Sequence, residues 1–320
     1  MKLALIATAS VAAIKTSELA EILSEAYSLN ISFTKETERF GFFPILKKKL
    51  SAQKVVFNSA SEIESSDVVL VAPVTADFMY QLARGLTEEV PLHRLSDIAL
   101  SVIAAFRGGA ELFIAPAMNY KMWQHSAVQA NYEILLKSGA VFIGPDKGKM
   151  ACGDIGYGRM TEPSDIAETM KRFLSGEKSK EEYSKEQANL KELWMQQIPF
   201  VQEEGTDKIL YAIDEDMPEE QINNLVKEAA EKNIKAHAIA IANSEEREKF
   251  LREKILFPVT IRHYEIKGMD GLEHIKLPEQ SARFIFPFVS EKLRQDLLFG
   301  RADNLVLCTH LASKIPVEFF

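Results

Sequence analysis

Short apolar runs separated by amphipathic stretches set the pattern of the first half of the chain. LALIAT, NISFT, VVLVA, LFIA and VFI predict strands at 3–8, 30–34, 68–72, 112–115 and 141–143. Between most of them apolar positions recur at helical spacing. Leu19, Ile22, Leu23 and Ala26 share one face behind Ser10, a residue suited to an N-cap. Behind LFIA a helix carries Met122, Val128, Ile134 and Leu135, and Gly139 stops it. This alternation predicts a parallel, doubly wound α/β sheet, whose ligands collect where the strands end.

The pattern lapses over 175–207, where SGEKSKEEYSKEQANLKELW is charged and offers no buried strand; it reads as a solvated helix or linker. It resumes at 208–320. LYAI is a strand, Glu219–Glu231 a helix with Ile222, Leu225, Val226 and Ala229 on one face, and Ala236–Ala242 another strand. The two halves echo one another: RFIFPFVSEKLRQDLLFGRADNLVL resembles DVVLVAPVTADFMYQLARGLTEEVPL, with Pro287 where Pro73 falls. The chain thus divides into 1–174, a charged connector over 175–207, and a smaller α/β domain over 208–320. That domain reads as a truncated, degenerate repeat of the first. The alternative is an unrelated α/β domain sharing only the βα period.

Composition narrows the classes. With 320 residues, 47% hydrophobic and 26% charged, this is an ordinary globular chain of about two domains. A net charge of −8 argues against a nucleic-acid surface, and no apolar run reaches the roughly 18 residues of a membrane span. MKLALIATASVAAIK reads better as a first strand and helix than as a signal peptide. Two cysteines, Cys152 and Cys308, make no disulfide framework, which fits a reducing cytoplasm. No metal is called for.

The candidate chemistry sits in 111–163. LFIA ends at Pro116, so Ala117, Met118 and Asn119 fall at the ligand end of a strand. Beyond VFI comes a loop with Gly144, Gly148, Gly153, Gly156 and Gly158 around Cys152, a density that suits backbone packed against a ligand. Thr8, Ser10, Thr34 and Thr75 put hydroxyls at three more strand ends, fit either for holding a phosphate or for plain helix capping. Cys152 by itself could equally be a small buried residue.

APAMN, followed by MW, His125 and Gln129, and then ACGDIGYGRM, resemble the signature segments of the flavin-containing cysteine decarboxylases, nearest to the phosphopantothenoylcysteine decarboxylases of coenzyme A synthesis. The resemblance spans 1–174. It implies a flavodoxin- or Rossmann-like fold and an FMN site in which ATASVAAIK (Thr8, Ser10) is the phosphate loop. Thr34, APVTAD (Pro73, Thr75, Ala76) and, more weakly, Ser101 would be further flavin contacts. Alanines stand where many members have glycine in the first loop, and extra residues near 91–98, His93 among them, lie close to the expected flavin edge. The resemblance further implies a small-molecule substrate with a cysteine carboxylate held by Ala117, Met118 and Asn119, Cys152 as proton donor, and a trimer-based homo-oligomer.

Family members also carry a histidine in an HIxL-type segment ahead of the flavin-loop proline. The matching stretch here, NSASEIESSD around Ser59, has none, whereas the second half has His274-Ile275-Lys276-Leu277, thirteen residues before Pro287. The halves therefore read as complementary, one giving Asn119 and Cys152 and the other His274. A polar surface histidine is the simpler alternative. Three other readings stay open: a regulatory flavoprotein without activity, a peptidyl-cysteine decarboxylase, and a fusion with a phosphopantothenate-ligating synthase. The last is disfavoured because no ATAGPT-like loop follows the first strand of 208–320.

Overall fold

The computed structural model describes residues 1–52, 56–57, 60–195, 207–263 and 273–320. It divides into two compact units, Met1–Gln197 and Ile198–Phe320. Ser59 lies outside the described residues.

The first unit runs β1 (Lys2–Ala7), α1 (Thr16–Ser24), β2 (Ser28–Phe33), α2 (Phe43–Ala52), β3 (Val56–Phe57), α3 (Ala60–Glu64), β4 (Val68–Val74), α4 (Ala76–Thr87) and α5 (Asp97–Arg107). It continues with β5 (Glu111–Pro116), α6 (Tyr120–Trp123), α7 (Ser126–Lys137), β6 (Val141–Phe142), β7 (Asp146–Lys149), β8 (Ile155–Arg159), α8 (Pro163–Leu174) and α9 (Lys180–Trp194). Its main sheet is parallel, in the order β3-β2-β1-β4-β5-β6. This is a doubly wound sheet with its switch point between β1 and β4. Both faces are covered, which is why β4 is apolar and buried at all of its positions. Leu3, Leu5, Leu70, Phe113 and Ala115 point to the side packed by Leu19, Leu23, Ile166, Met170 and Phe173.

The second unit contains β9 (Ile209–Ile213), α10 (Glu219–Glu231), β10 (Ala236–Ala242), α11 (Glu245–Lys254), β11 (Val259–His263), α12 (Glu273–Glu279), β12 (Arg283–Phe286), α13 (Glu291–Phe299), α14 (Leu305–Ala312) and β13 (Val317–Phe319). Its parallel sheet has the order β11-β10-β9-β12-β13. Position for position this is the order of the first five strands of unit one. The two-helix crossover matches as well: α4 and α5 lie between β4 and β5, α13 and α14 between β12 and β13. Thr75 caps α4 and Ser290 caps α13 in the same way, each hydroxyl accepting from the third residue on.

Three sequence expectations need correction. The helix expected behind Pro116 is two, because His125 restarts it: its Nδ1 accepts from Ala127 N and caps α7. The glycine loop is largely a hairpin, β7 against β8, with Gly148 opposite Gly156; glycines and exposed polar residues hid its strands. Finally, α9 is no free-standing connector. Charged on its outer face, it buries Tyr183, Gln187 and Trp194 on the first unit. Trp194 is fully buried, edge-on to Trp123 at 5.2 Å and to Tyr132 at 5.5 Å. Gln124 donates to the Trp194 carbonyl at 2.8 Å and Gln187 to that of Phe142 at 2.9 Å.

Trp123 and Trp194 are the chain's two tryptophans, so tryptophan fluorescence reports the first unit alone. Trp194→Ala should lower that unit's stability by about 3–5 kcal/mol, measured by urea unfolding through the remaining Trp123. A change within error would mean that α9 does not hold α6 and α7.

Candidate active site

Asn119 begins the site. It follows β5 as the N-cap of α6, in extended backbone, and its side-chain carbonyl accepts from Lys121 N at 2.8 Å. That bond fixes which way the amide faces. Its Nδ2 then donates to Cys152 Sγ at 3.1 Å and to Asp154 Oδ2 at 2.7 Å. Both partners lie on the β7–β8 turn, which is closed by Met150 N to Asp154 O and by Gly153 N to Met150 O. Gly153 has φ +95°, the left-handed region that suits glycine.

The hairpin is fastened to the strand end by one backbone bond, Met118 N to Gly158 O, at 3.0 Å. A Cβ on Gly158 would stand 2.2 Å from the Met118 carbonyl oxygen, so this approach requires glycine. Ala117 is held the same way, its N donating to Val74 O at 3.0 Å. The structure therefore joins the predicted Ala117, Met118, Asn119 and Cys152.

Two residues of this cluster carried no expectation. Lys121 is 2% exposed, and its ammonium lies 3.5 Å from the Asp154 oxygen that accepts from Asn119. Asp154 stood in plain view within ACGDIGYGRM, but nothing about a carboxylate in a turn announces its partner.

Burial pushes the Cys152 thiol above its ordinary value; the Asp154 backbone N–H and the Asn119 amide pull it part of the way back, and the Asp154 carboxylate pushes it up again. Cys152 is thus held as a protonated thiol at neutral pH, in reach of an amide.

The hydroxyl group of residues is at the ends of β1, β2 and β4. Thr8 ties two of them together: its hydroxyl donates to Pro73 O at 2.9 Å and accepts from Thr75 N at 3.0 Å. Ser10 caps a 3-10 turn over Val11–Lys15. Thr34 pairs with Thr37 at 3.0 Å, and Thr75, followed by Ala76, opens α4. Two helix starts therefore flank the switch point with backbone N–H groups, the donor set an anionic phosphate needs. Ser101 does not join them: it is buried in α5 and donates to Glu64 at 3.1 Å. The extra residues form a short 3-10 turn, Leu92–Arg94, with Leu95 packed over Gly85. A cleft of about 510 Å³ lies between the hairpin base and α9, lined by Lys147, Tyr157, Arg159 and Gln187; none of the predicted site residues borders it.

His274 belongs to the second unit. It opens α12, which packs on α14, and it is buried, so the surface alternative is wrong. Among the described residues no cluster of His, Cys, Asp and Glu could hold a metal, and no helix is long and apolar enough to cross a membrane.

A fold of this kind with Asn119 and Cys152 joined at the strand ends defines a class, and comparison gives it a name. The Flavoprotein family model matches residues 1–175, and the chain belongs to that family. It is 32% identical over 180 residues to the coenzyme A biosynthesis bifunctional protein CoaBC of Haemophilus influenzae, covering 52% of this chain and 42% of that one. With the probable phosphopantothenoylcysteine decarboxylase of Arabidopsis thaliana it shares 29% identity over 192 residues, 56% of this chain and 92% of that one. Among solved structures, the FMN binding protein AtHal3 covers 56% of this chain and 98% of its own, at 29% identity and a TM-score of 0.46. The chain spans less than half the length of the bifunctional relatives it matches.

Gly158→Ala should separate the hairpin from Met118, admit water to Cys152 and so move the pH midpoint of its alkylation downward, toward that of an ordinary thiol. Mass-spectrometric alkylation profiles against pH would read this, with Gly41→Ala, where a Cβ meets nothing within 4 Å, as the control. Coincident profiles for Gly158→Ala and wild type would show that the clamp does not set the thiol's environment.

Proposed function

We propose that the protein is an FMN-dependent carboxy-lyase that converts 4′-phosphopantothenoylcysteine to 4′-phosphopantetheine, a step of coenzyme A synthesis. The observation that carries this is the Asn119 amide, which donates at once to a thiol and to a carboxylate oxygen. A cysteine substrate presents those two groups.

The N–H groups behind Ser10 and Thr75 would hold the FMN phosphate, with Thr8 and Pro73 locking their loops together. Bound FMN would supply two-electron oxidation of the substrate's cysteine side chain and the return of that electron pair after CO₂ has left. Asn119 receives the substrate carboxylate through a neutral amide, so the bond to CO₂ breaks without a covalent or metal anchor. Cys152, held protonated by burial, gives its proton to the enethiol carbon as the electron pair comes back. His274 acts as acid/base or positioning donor. It stands at the start of α12, just ahead of β12, as α3 stands ahead of β4, and this matching element order supports reading the second unit as a diverged copy of the first. A trimer-based assembly, with neighbouring chains sharing sites, completes the proposal.

The purified protein should show flavin absorbance bands and release CO₂ from 4′-phosphopantothenoylcysteine. Cys152→Ser should still release CO₂ but accumulate the enethiol, whereas Asn119→Asp should fail before CO₂ loss, since a second carboxylate repels the substrate's own. No flavin bands, even after FMN is added, would remove the whole reading.

His274→Asn should lower CO₂ release by about 10²–10⁴-fold while flavin stays bound. Mixing His274→Asn chains with Asn119→Asp chains should restore activity if neighbouring chains share sites. A fully active His274→Asn protein would end the complementary-halves idea.

A further inference from the structure

The cleft between the base of the β7–β8 hairpin and α9 is bordered by none of the residues assigned to flavin or substrate. Its volume of about 510 Å³ falls within the roughly 300–1,000 Å³ of small-molecule sites. One wall is the end of β8 and the residues just after it. Side chains alternate there: Gly158 faces Met118 and Met160 enters the core, so Tyr157, Arg159 and Thr161 share the face that borders the cleft. The opposite wall is α9, with Tyr183, Gln187 and Leu190. It is pinned by the bond from Gln187 to the Phe142 carbonyl. This helix lies beyond the residues 1–175 matched by the family model, so one wall is built outside the family segment.

Two polar atoms of the hairpin wall, Arg159 Nε and Thr161 Oγ1, are buried without a hydrogen-bond partner. Thr161 itself is 6% exposed. A glycine makes room for each. A Cβ on Gly144 would stand 2.3 Å from Thr161 Oγ1, and one on Gly148 would stand 2.8 Å from Arg159 Nε. The far end of the guanidinium is held, with Nη1 2.9 Å from Glu162 Oε1, and Glu162 is shared with Lys15 at 2.6 Å. Arg159 is therefore aimed. Lys147 adds an exposed ammonium to the lining, whose acids are Asp146 and Glu186, the latter paired with Lys178. With bonded partners included, Lys15, Lys147, Arg159 and Lys178 stand against Asp146, Glu162 and Glu186, so positive charge prevails.

We propose that this cleft is a second ligand site, built for an organic phosphate of mononucleotide size. The phosphate takes the Arg159 and Thr161 donors with Lys147 as counter-charge, and the flat ring lies against Tyr157 and the apolar side made by Pro145 and Leu190. Buried polar groups left unpaired are costly, and a ligand here supplies the partner that both lack. A hydroxyl and a guanidinium on one strand face, with an ammonium from the strand beside it, suit the several oxygens of a phosphate better than the two of a carboxylate.

The test titrates the full chain as purified, by calorimetry, with AMP, with adenosine, which lacks the phosphate, and with inorganic phosphate, which lacks the ring. AMP should bind about tenfold or more tightly than either. Thr161→Val removes a hydroxyl that has no protein partner, so the unfolding midpoint should hold or rise. The same change should weaken AMP by about tenfold or more. Lys147→Gln should weaken it too, whereas Lys149→Gln, an equal loss of charge on the same strand but outside the lining, should not. Each of three results would overturn the proposal: no AMP binding, AMP equalled by adenosine or by phosphate, or AMP held equally by wild type and Thr161→Val. CO₂ release enters none of these readings, so they stand apart from the proposed reaction.

Discussion

The site depends on one backbone hydrogen bond, from Met118 N to Gly158 O. It joins two segments that the chain would otherwise leave apart: the end of a central strand, and a hairpin built after the last strand of the sheet. The bond forms because Gly158 has no side chain to strike the Met118 carbonyl. With Met118 fixed, Asn119 is fixed as the first residue of α6, and the turn carrying Cys152 and Asp154 comes down onto its amide. Every functional group of that amide is then in use, two donors and one acceptor. Such a cluster is specific in geometry yet easily opened, since most of what closes it is hydrogen bonds on a turn rather than apolar contact.

Rigidity comes from elsewhere. Trp123, at the end of α6, is fully buried against Tyr132 of α7 and Trp194 of α9. The aromatic group holds the short helix that Asn119 opens, so the asparagine side of the site is anchored while the cysteine side rests on a hairpin. One wall is thus fixed by aromatic packing and the other by hydrogen bonds on a turn. The same packing places α9, beyond the family's matched segment, in the structural support of the site.

Much of this was legible in the sequence. The strands gave themselves away as apolar runs bounded by Pro, Thr and Gly, because a parallel sheet covered on both faces leaves no polar alternation to confuse the period. Glu219–Glu231 matches its expectation in full, being amphipathic and uninterrupted. Failures came where one local signal overrode another. His125 looked like a residue within a helix and is a cap between two; the glycines of 144–158 looked like a loop and form a ladder. Trp194 sat in a stretch whose charge count masked a single buried stripe. Lys121 was hidden for a different reason: a lysine inside an apolar helix turn is ordinarily taken as solvent-facing, and its neighbour Asp154 is brought beside it only by the fold.

The two units share an order of elements but differ at the end of their first strands. In the first, β1 runs into Thr8, Ala9 and Ser10, small residues that leave room and hydroxyls at the switch point. In the second, β9 runs into Asp214, Glu215 and Asp216. Asp214 is buried there, and that burial, with the neighbouring acids adding to it, lifts its carboxyl to about 6. Near neutral pH Asp214 is largely ionised, and an anion at this corner would repel a phosphate. The shared topology is thus compatible with divided roles: the first unit keeps the neutral, N–H-rich corner and the Asn119 cluster, while the second keeps a buried histidine at the start of α12.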